Sequence, residues 1–241
     1  MLFRSAVTAS EKYRAYSSPV LPGTRFAPWG VVPTLDERVA AVILEPVQSL
    51  AGMRTATPEW MAALRAECDR VGAMLILDEV QTAWGRLGAN FAADLLGVRA
   101  DLVTSAKSAA GGFPVGVTLV DDAIARQAKN GDQGSTFGAG PLACAAILAT
   151  HHVIQAEGLV DRARRLGDHA RALLSDVCEV RGHGCLLGLA FPEPAKSKLP
   201  LLRDAGFIVG GSDDPRVLRL MPPLVLPFEA LDAFAAALKS L

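Results

Sequence analysis

The apolar run Met74-Leu75-Ile76-Leu77 ends on Asp78-Glu79-Val80-Gln81, and Lys107 follows Asp78 by twenty-nine residues. Lys107 lies in Ser105-Ala106-Lys107-Ser108-Ala109-Ala110-Gly111-Gly112-Phe113-Pro114, a segment of small residues with little reason of its own to carry a surface charge. An apolar strand ending in an acid delivers a carboxylate to the carboxyl edge of a parallel sheet, where open α/β folds bind ligands. A primary amine can condense with a carbonyl to a Schiff base, and a carboxylate can keep a pyridine nitrogen protonated so that the ring accepts electrons. Those are the two side chains that pyridoxal phosphate chemistry needs most. Each residue alone has a plainer reading. An acid after a strand is often a cap or loop hydrogen-bonder, and a lone lysine is often a solvated charge. The flanking residues choose between these readings.

The elements around the pair follow an alternating order. Residues 1 to 37 are loop-rich, broken by Pro19, Pro22, Pro28 and Pro33. Val39 to Leu44 is a continuous apolar run, as expected of a strand covered on both faces. Thr57-Pro58-Glu59 opens a helix with an N-cap and a proline at the first position, running to about Val71. Strand 74–78, a short helix near Asn90–Leu96, a strand at Leu102–Thr104 and another at Val115–Leu119 follow, which predicts a doubly wound, mostly parallel α/β sheet. Helical patterns fill Leu142–Gln155 and Leu159–Val177. From Glu179 short strands (Glu179–Arg181, Leu186–Phe191, Ile208–Val209, Val217–Leu220) alternate with helices near Lys196–Ala205 and Glu229–Leu238. We therefore expect part of a large domain over 1–165 and a small α+β domain over 166–241.

The 241 residues are 51% hydrophobic and 20% charged with a net charge of −1, ample material for a core and no electrostatic footprint for nucleic acid. No run of about eighteen apolar residues suggests a membrane span, and Met1 to Arg14 has no apolar core of a secretory signal. Cys68, Cys144, Cys178 and Cys185 have no metal-type spacing and make no ligand set with the four histidines. Cys68 and Cys144 fall in apolar helical patterns, and the four read as reduced core thiols of a cytoplasmic protein.

Several short motifs occur in one order: Glu45-Pro46-Val47-Gln48, Leu77-Asp78-Glu79-Val80-Gln81-Thr82, Gly85-Arg86, Ala106-Lys107, Gly111-Gly112-Phe113-Pro114, Ser135-Thr136-Phe137-Gly138 and Leu218-Arg219-Leu220-Met221-Pro222-Pro223-Leu224. Over nearly the whole chain they resemble the class III, fold-type I, pyridoxal phosphate-dependent aminotransferases. Glu11-Lys12-Tyr13-Arg14 and Leu21-Pro22-Gly23 suggest the acetylornithine and ornithine subgroup. The resemblance implies transfer of an amino group from the ω-amine of an acetylornithine-like amino acid to a 2-oxo acid such as 2-oxoglutarate. It implies that Lys107 carries the cofactor and acts as base and acid, that Asp78 bonds the pyridine N–H, that Val80 packs on a ring face and that Gln81 reaches the ring's phenolic oxygen. Thr136 would serve the phosphate of the neighbouring subunit in a homodimer, and Arg219 would hold a substrate carboxylate, with Glu45 also in the substrate site.

The sequence also departs from that family. Members are close to twice this length, and their Ser-Gly-rich phosphate turn at a helix start has no counterpart before Glu45, where glycine occurs at Gly23 and Gly30. Leu50 stands where ornithine-type enzymes carry a glutamate that gates the arginine matching Arg219. The chain thus reads as N-terminally truncated. The alternative to an active transaminase is a non-catalytic remnant, or one half of a split enzyme that needs a complementing N-terminal half. A nucleotide-binding domain is a third reading, but no G-x-G-x-x-G or Walker-type loop follows a strand.

Overall fold

A computed structural model describes residues 7–15, 23–132, 134–136 and 138–241. Pro19, Leu21, Pro22 and Phe137 of the motifs above lie outside the described residues. Residues 1–34 form one unit and 35–241 another. In the first, helix α1 (Glu11–Arg14) is a single turn, and the Arg14 guanidinium lies 4.3 Å from the centre of the Phe26 ring.

The second unit begins with β1 (Ala41–Leu44), a short antiparallel pair β2 (Val47–Gln48) and β3 (Arg54–Thr55), and α2 (Pro58–Val71). The Thr57 hydroxyl accepts from Trp60 N–H at 3.2 Å and Pro58 opens the helix, as its sequence requires. There follow β4 (Met74–Asp78), α3 (Ala92–Leu96), β5 (Leu102–Ser105), a 3-10 turn (Lys107–Ala110), β6 (Val117–Val120) and α4 (Asp122–Ala125). The sheet order is β1-β4-β5-β6, with β1, β4 and β5 parallel.

Strand β6 departs from the expectation: it runs antiparallel to β5, Ser105 opposite Val117. Its connection holds a 3-10 turn where a parallel crossover needs a helix-length return, so the chain folds back as a hairpin. Strand β1 departs too, because it is not covered on both faces. Met61, Leu64 and Cys68 of α2 are buried with Leu75 and Leu77, closing one face of the sheet. The other face carries Ile43, Met74 and Val120, all exposed. Register puts Asp78 and Thr104 on that open face with Ile43 and Ile76.

Helices α5 (Pro141–Ala156) and α6 (Leu159–Leu174) lead to a second sheet. It contains β7 (Glu179–His183), β8 (Leu186–Ala190), β9 (Gly210–Gly211) and β10 (Val217–Leu220), all antiparallel in the order β7-β8-β10-β9. The short strand expected at Ile208–Val209 falls two residues later. Helices α7 (Lys198–Asp204) and α8 (Phe228–Lys239) complete this part. Its core joins Leu166, Leu174, Leu189, Leu202, Leu218 and Phe234, each a fully or nearly fully buried apolar side chain.

Cys144 is not the core thiol that its helical pattern suggests. It is exposed on α5 while the other three cysteines are buried. The helix is apolar around much of its circumference, so periodicity alone could not tell its packed side from its bare one.

Candidate active site

Three chain segments leave one edge of the first sheet. Leu44 pairs with Leu77, so Glu45 and Asp78 emerge side by side from parallel strands. Asp78 pairs with Thr104, three residues before Lys107. This is the carboxyl edge, where strand order and direction leave a site for ligands.

The chain turns immediately after Asp78. Val80 N–H donates to Asp78 Oδ1 at 3.1 Å, and Ala83 N–H donates to Glu79 O at 3.2 Å. Strand alternation therefore stops at Asp78, and half-buried Val80 is held by the turn and not along the strand line. Among the described residues no hydrogen bond occupies Asp78 Oδ2, so the carboxylate caps its own turn and still keeps an acceptor. Gln81 Nε2 donates to the buried Ser49 hydroxyl at 2.7 Å, which spends one of its two N–H groups.

Glu79, a residue that sequence reasoning passed over, is fully buried. It accepts from Ala92 N–H at 2.6 Å, Ala93 N–H at 3.0 Å and Thr82 Oγ1 at 2.9 Å. Burial pushes its carboxyl up, opposed by these donors. It satisfies the open N–H groups at the start of α3 and so anchors the loop that follows Asp78. Its signal in the sequence is an acid adjacent to a strand-end acid, ahead of a helix with no side-chain cap of its own.

Lys107 opens the 3-10 turn with φ +50°, a left-handed conformation costly for any residue with a side chain, and it is exposed. Ala109 and Ala110 of the same turn are buried, and the turn packs on α5. Trp84 is also left-handed at φ +64°, and its Nε1–H donates to Ser105 Oγ at 2.7 Å.

The loop after Asp78 is latched to the second sheet. Arg86 Nη1 donates to Cys185 O at 3.3 Å and to Pro222 O, and Cys185 N–H donates back to Arg86 O at 2.8 Å. Burial pulls the Arg86 guanidinium down from the usual arginine range. Gly184 has φ +52°, and a Cβ there would stand 2.5 Å from the Leu87 carbonyl carbon, so glycine is required.

Arg219 lies on β10. Its Nε donates to Gly211 O at 2.7 Å, and among the described residues no acid pairs with its guanidinium. It borders a cavity of about 280 Å³ walled by Phe207, Val209, Leu226 and Phe234. Leu50 sits in a turn clasped to the neighbouring segment: Ser212 Oγ donates to Leu50 O at 2.8 Å, and Gly52 N–H donates to Ser212 Oγ at 3.0 Å. Thr136 is exposed on residues 134–136. Among the described residues, no hydrogen bond joins Thr136 or Arg219 to Asp78. The edge thus gathers Glu45, Asp78, Val80, Gln81 and the Lys107 segment, while Thr136 and Arg219 stand on separate elements.

This mixed, mostly parallel α/β sheet with an acid and a lysine at its carboxyl edge belongs to a known class. Residues 29–241 match the model of the aminotransferase class-III family, and the chain belongs to that family. The chain is 37% identical to the acetylornithine aminotransferase of Methanosarcina acetivorans over 244 residues, 97% of this chain and 61% of that relative. Among solved structures it resembles the ornithine aminotransferase from Toxoplasma gondii crystallised with oxidised glutathione, which shows partial occupancy of PLP at its active site. That likeness has a TM-score of 0.90 at 26% identity and covers 100% of this chain and 61% of the other. The acetylornithine aminotransferase from Elizabethkingia anophelis gives a TM-score of 0.80 at 29% identity, over 89% of this chain and 58% of that structure. The chain therefore spans about three-fifths of the length of the relatives it matches.

Proposed function

We propose that this chain is the cofactor-bearing part of a pyridoxal phosphate-dependent transaminase. It takes an amino group from the ω-amine of an acetylornithine-like amino acid and passes it to a 2-oxo acid such as 2-oxoglutarate. The observation that carries this reading is the convergence of Asp78 and the left-handed Lys107 segment at the ends of neighbouring parallel strands, in a chain of this family.

The residues present suit the cofactor. Asp78 keeps Oδ2 on the open sheet face, Gln81 keeps an N–H, and Arg219 keeps its Nη groups unpaired with acid. Bound pyridoxal phosphate supplies an electron-poor ring that stabilises negative charge on the substrate carbon attached to nitrogen. Asp78 would hold the proton on the ring nitrogen, and Val80 would press an apolar surface on a ring face. Gln81 would donate to the ring oxygen, and the Thr136 hydroxyl would serve the phosphate of a second copy. Lys107 Nζ would hold the cofactor, then take the proton from the substrate carbon bearing the amine and keep it for return. Arg219 would fork a substrate carboxylate, and Glu45 would complete the substrate contacts. In this reading residues 1–165 belong to the large domain and 166–241 form the small one, and the working form is a cytoplasmic homodimer.

The open sheet face favours a second reading beside it, in which turnover needs another polypeptide to cover Ile43 and Met74. Incubation with pyridoxal phosphate, borohydride reduction and peptide mapping tests the first part of the proposal. Label is expected on Lys107, and label on Lys12, Lys129 or Lys196 instead overturns it. A coupled assay with acetylornithine and 2-oxoglutarate then separates the readings: turnover by the purified chain supports the first, and trapping without turnover the second.

A further inference from the structure

We propose that Trp84 is a positioning residue for Lys107, acting through the Ser105 hydroxyl. The proposal rests on the role given to Lys107 above. Two side-chain-bearing residues in this part of the fold, Trp84 at φ +64° and Lys107 at φ +50°, hold left-handed backbone conformations that residues with a Cβ seldom adopt. Such strain persists where the surroundings over-determine it. At Trp84 several contacts do this. Its backbone N–H donates to Asn90 O at 2.7 Å and its Nε1–H to Ser105 Oγ at 2.7 Å. Its ring centre lies 6.1 Å from Phe91 and 6.1 Å from His151, edge-on to the latter.

These contacts reach both supports of the Lys107 turn. Ser105 is the last residue of β5, buried and hydrogen-bonded by the indole two residues before Lys107. His151 belongs to α5, the helix on which the turn rests. That seat is tight: a Cβ on Gly111, the residue that closes the turn, would stand 3.2 Å from Thr150 Oγ1 of α5. The indole therefore joins the strand that enters the turn to the helix beneath it. Trp84 itself stands on the loop that starts at Asp78, so one side chain ties the acid's loop to the lysine's backbone. Tryptophan is suited to this, because it combines a broad ring with a single donor and no acceptor. Phenylalanine would keep the ring and lose the N–H that reaches Ser105.

The experiment uses the full chain and the variants Trp84→Phe, Ser105→Ala, Ser105→Thr and the Trp84→Phe/Ser105→Ala pair. Hydrogen exchange is read at the Ala109 amide, which closes the turn on Ala106 O at 3.0 Å. Competitive amine labelling across pH is read at Lys107 against Lys129 and Lys196, both exposed. Trp84→Phe and Ser105→Ala should each speed Ala109 exchange by about tenfold, the population change that relief of one strained residue allows. Each should also change the Lys107 labelling rate relative to Lys129 and Lys196, whose rates stay as in the parent chain. The double variant should go no further than either single one, and Ser105→Thr, which keeps the hydroxyl, should match the parent chain. A lowered melting temperature with unchanged Ala109 exchange and an unchanged Lys107 profile would reduce Trp84 to ordinary packing and overturn the proposal. Additive effects in the double variant would do the same. If Trp84→Phe does not fold, the Ser105→Ala and Ser105→Thr pair decides. Borohydride label away from Lys107 in the parent chain overturns the cofactor assignment, whereas these two readouts need no cofactor and judge the coupling separately.

Discussion

Asp78 spends one oxygen on its own turn, where Oδ1 accepts from Val80 N–H, while among the described residues no hydrogen bond occupies Oδ2. A carboxylate that looks structural by one hydrogen bond can therefore still be chemical by the other. Glu67 shows the opposite economy. It accepts from Arg70 Nε and Nη2, each at 2.8 Å, and from Leu35 N–H at 2.7 Å. Those bonds, Arg70 first, hold its carboxyl down from 4.5 to about 2. A carboxylate depressed in the folded state adds stability above its unfolded value and loses it as the pH falls through its folded value. We expect Glu67→Gln to lower the melting temperature at neutral pH, where the depressed carboxylate contributes in full, and to flatten its further loss between pH about 4.5 and about 2. An acid limb as steep as that of the parent chain would show that Glu67 contributes nothing there. The thiols divide as sharply. Burial pushes Cys178 and Cys185 up to about 11, so neither offers a thiolate at neutral pH. Alkylation of the native chain should mark Cys144 first.

At the scale of elements, the loop from Asp78 to Asn90 is held by its neighbours more than by its own propensities. Glu79 caps α3, and Arg86 ties the loop to the β7–β8 turn and to Pro222, three residues beyond Arg219. The acid's loop and the segment after the arginine's strand thus share one half-buried guanidinium. Arg86→Met would leave two carbonyls without their donor and should cost about 3 kcal/mol, read as a fall in the denaturation midpoint. Gly184→Ala should cost a similar amount for a different reason: its Cβ would collide with the Leu87 backbone in a left-handed residue. A midpoint shift below about 0.5 kcal/mol in either variant would mean that the latch adjusts freely.

At the scale of the molecule, what stays bare is as informative as what is packed. Leu142 and Leu148 of α5 are 74% and 70% exposed, and Phe113 and Leu119 are exposed as well. Large apolar side chains left this exposed are what a covering chain would bury, consistent with the homodimer proposed above. Leu148→Asp should weaken self-association by roughly thirtyfold, the equivalent of about 2 kcal/mol for one buried leucine. Analytical ultracentrifugation measures this, and an unchanged association constant would remove α5 from the interface. Cys144, on the same helix, should become slower to alkylate as the protein concentration rises.

Much of this architecture can be read along the chain, because it depends on local pattern. Strand 74–78, the proline-opened helix to Val71, the two long helices and strand 217–220 follow from periodicity and capping that neighbouring residues specify. The acid and the lysine are legible for the same reason: a strand end and a run of small residues are local facts. The reversal of β6, the bare side of α5 and the exposure of Cys144 depend on which surfaces other elements reach, and no window of sequence contains that information. Glu79, Arg86 and the Trp84–Ser105 bond belong with them. Their partners lie thirteen to more than a hundred residues away, and burial gives each bond its worth. The sequence by itself determined the chemical groups and the strands that carry them; the tertiary structure decided how those groups are held, since long-range packing selects among side chains that local pattern treats alike.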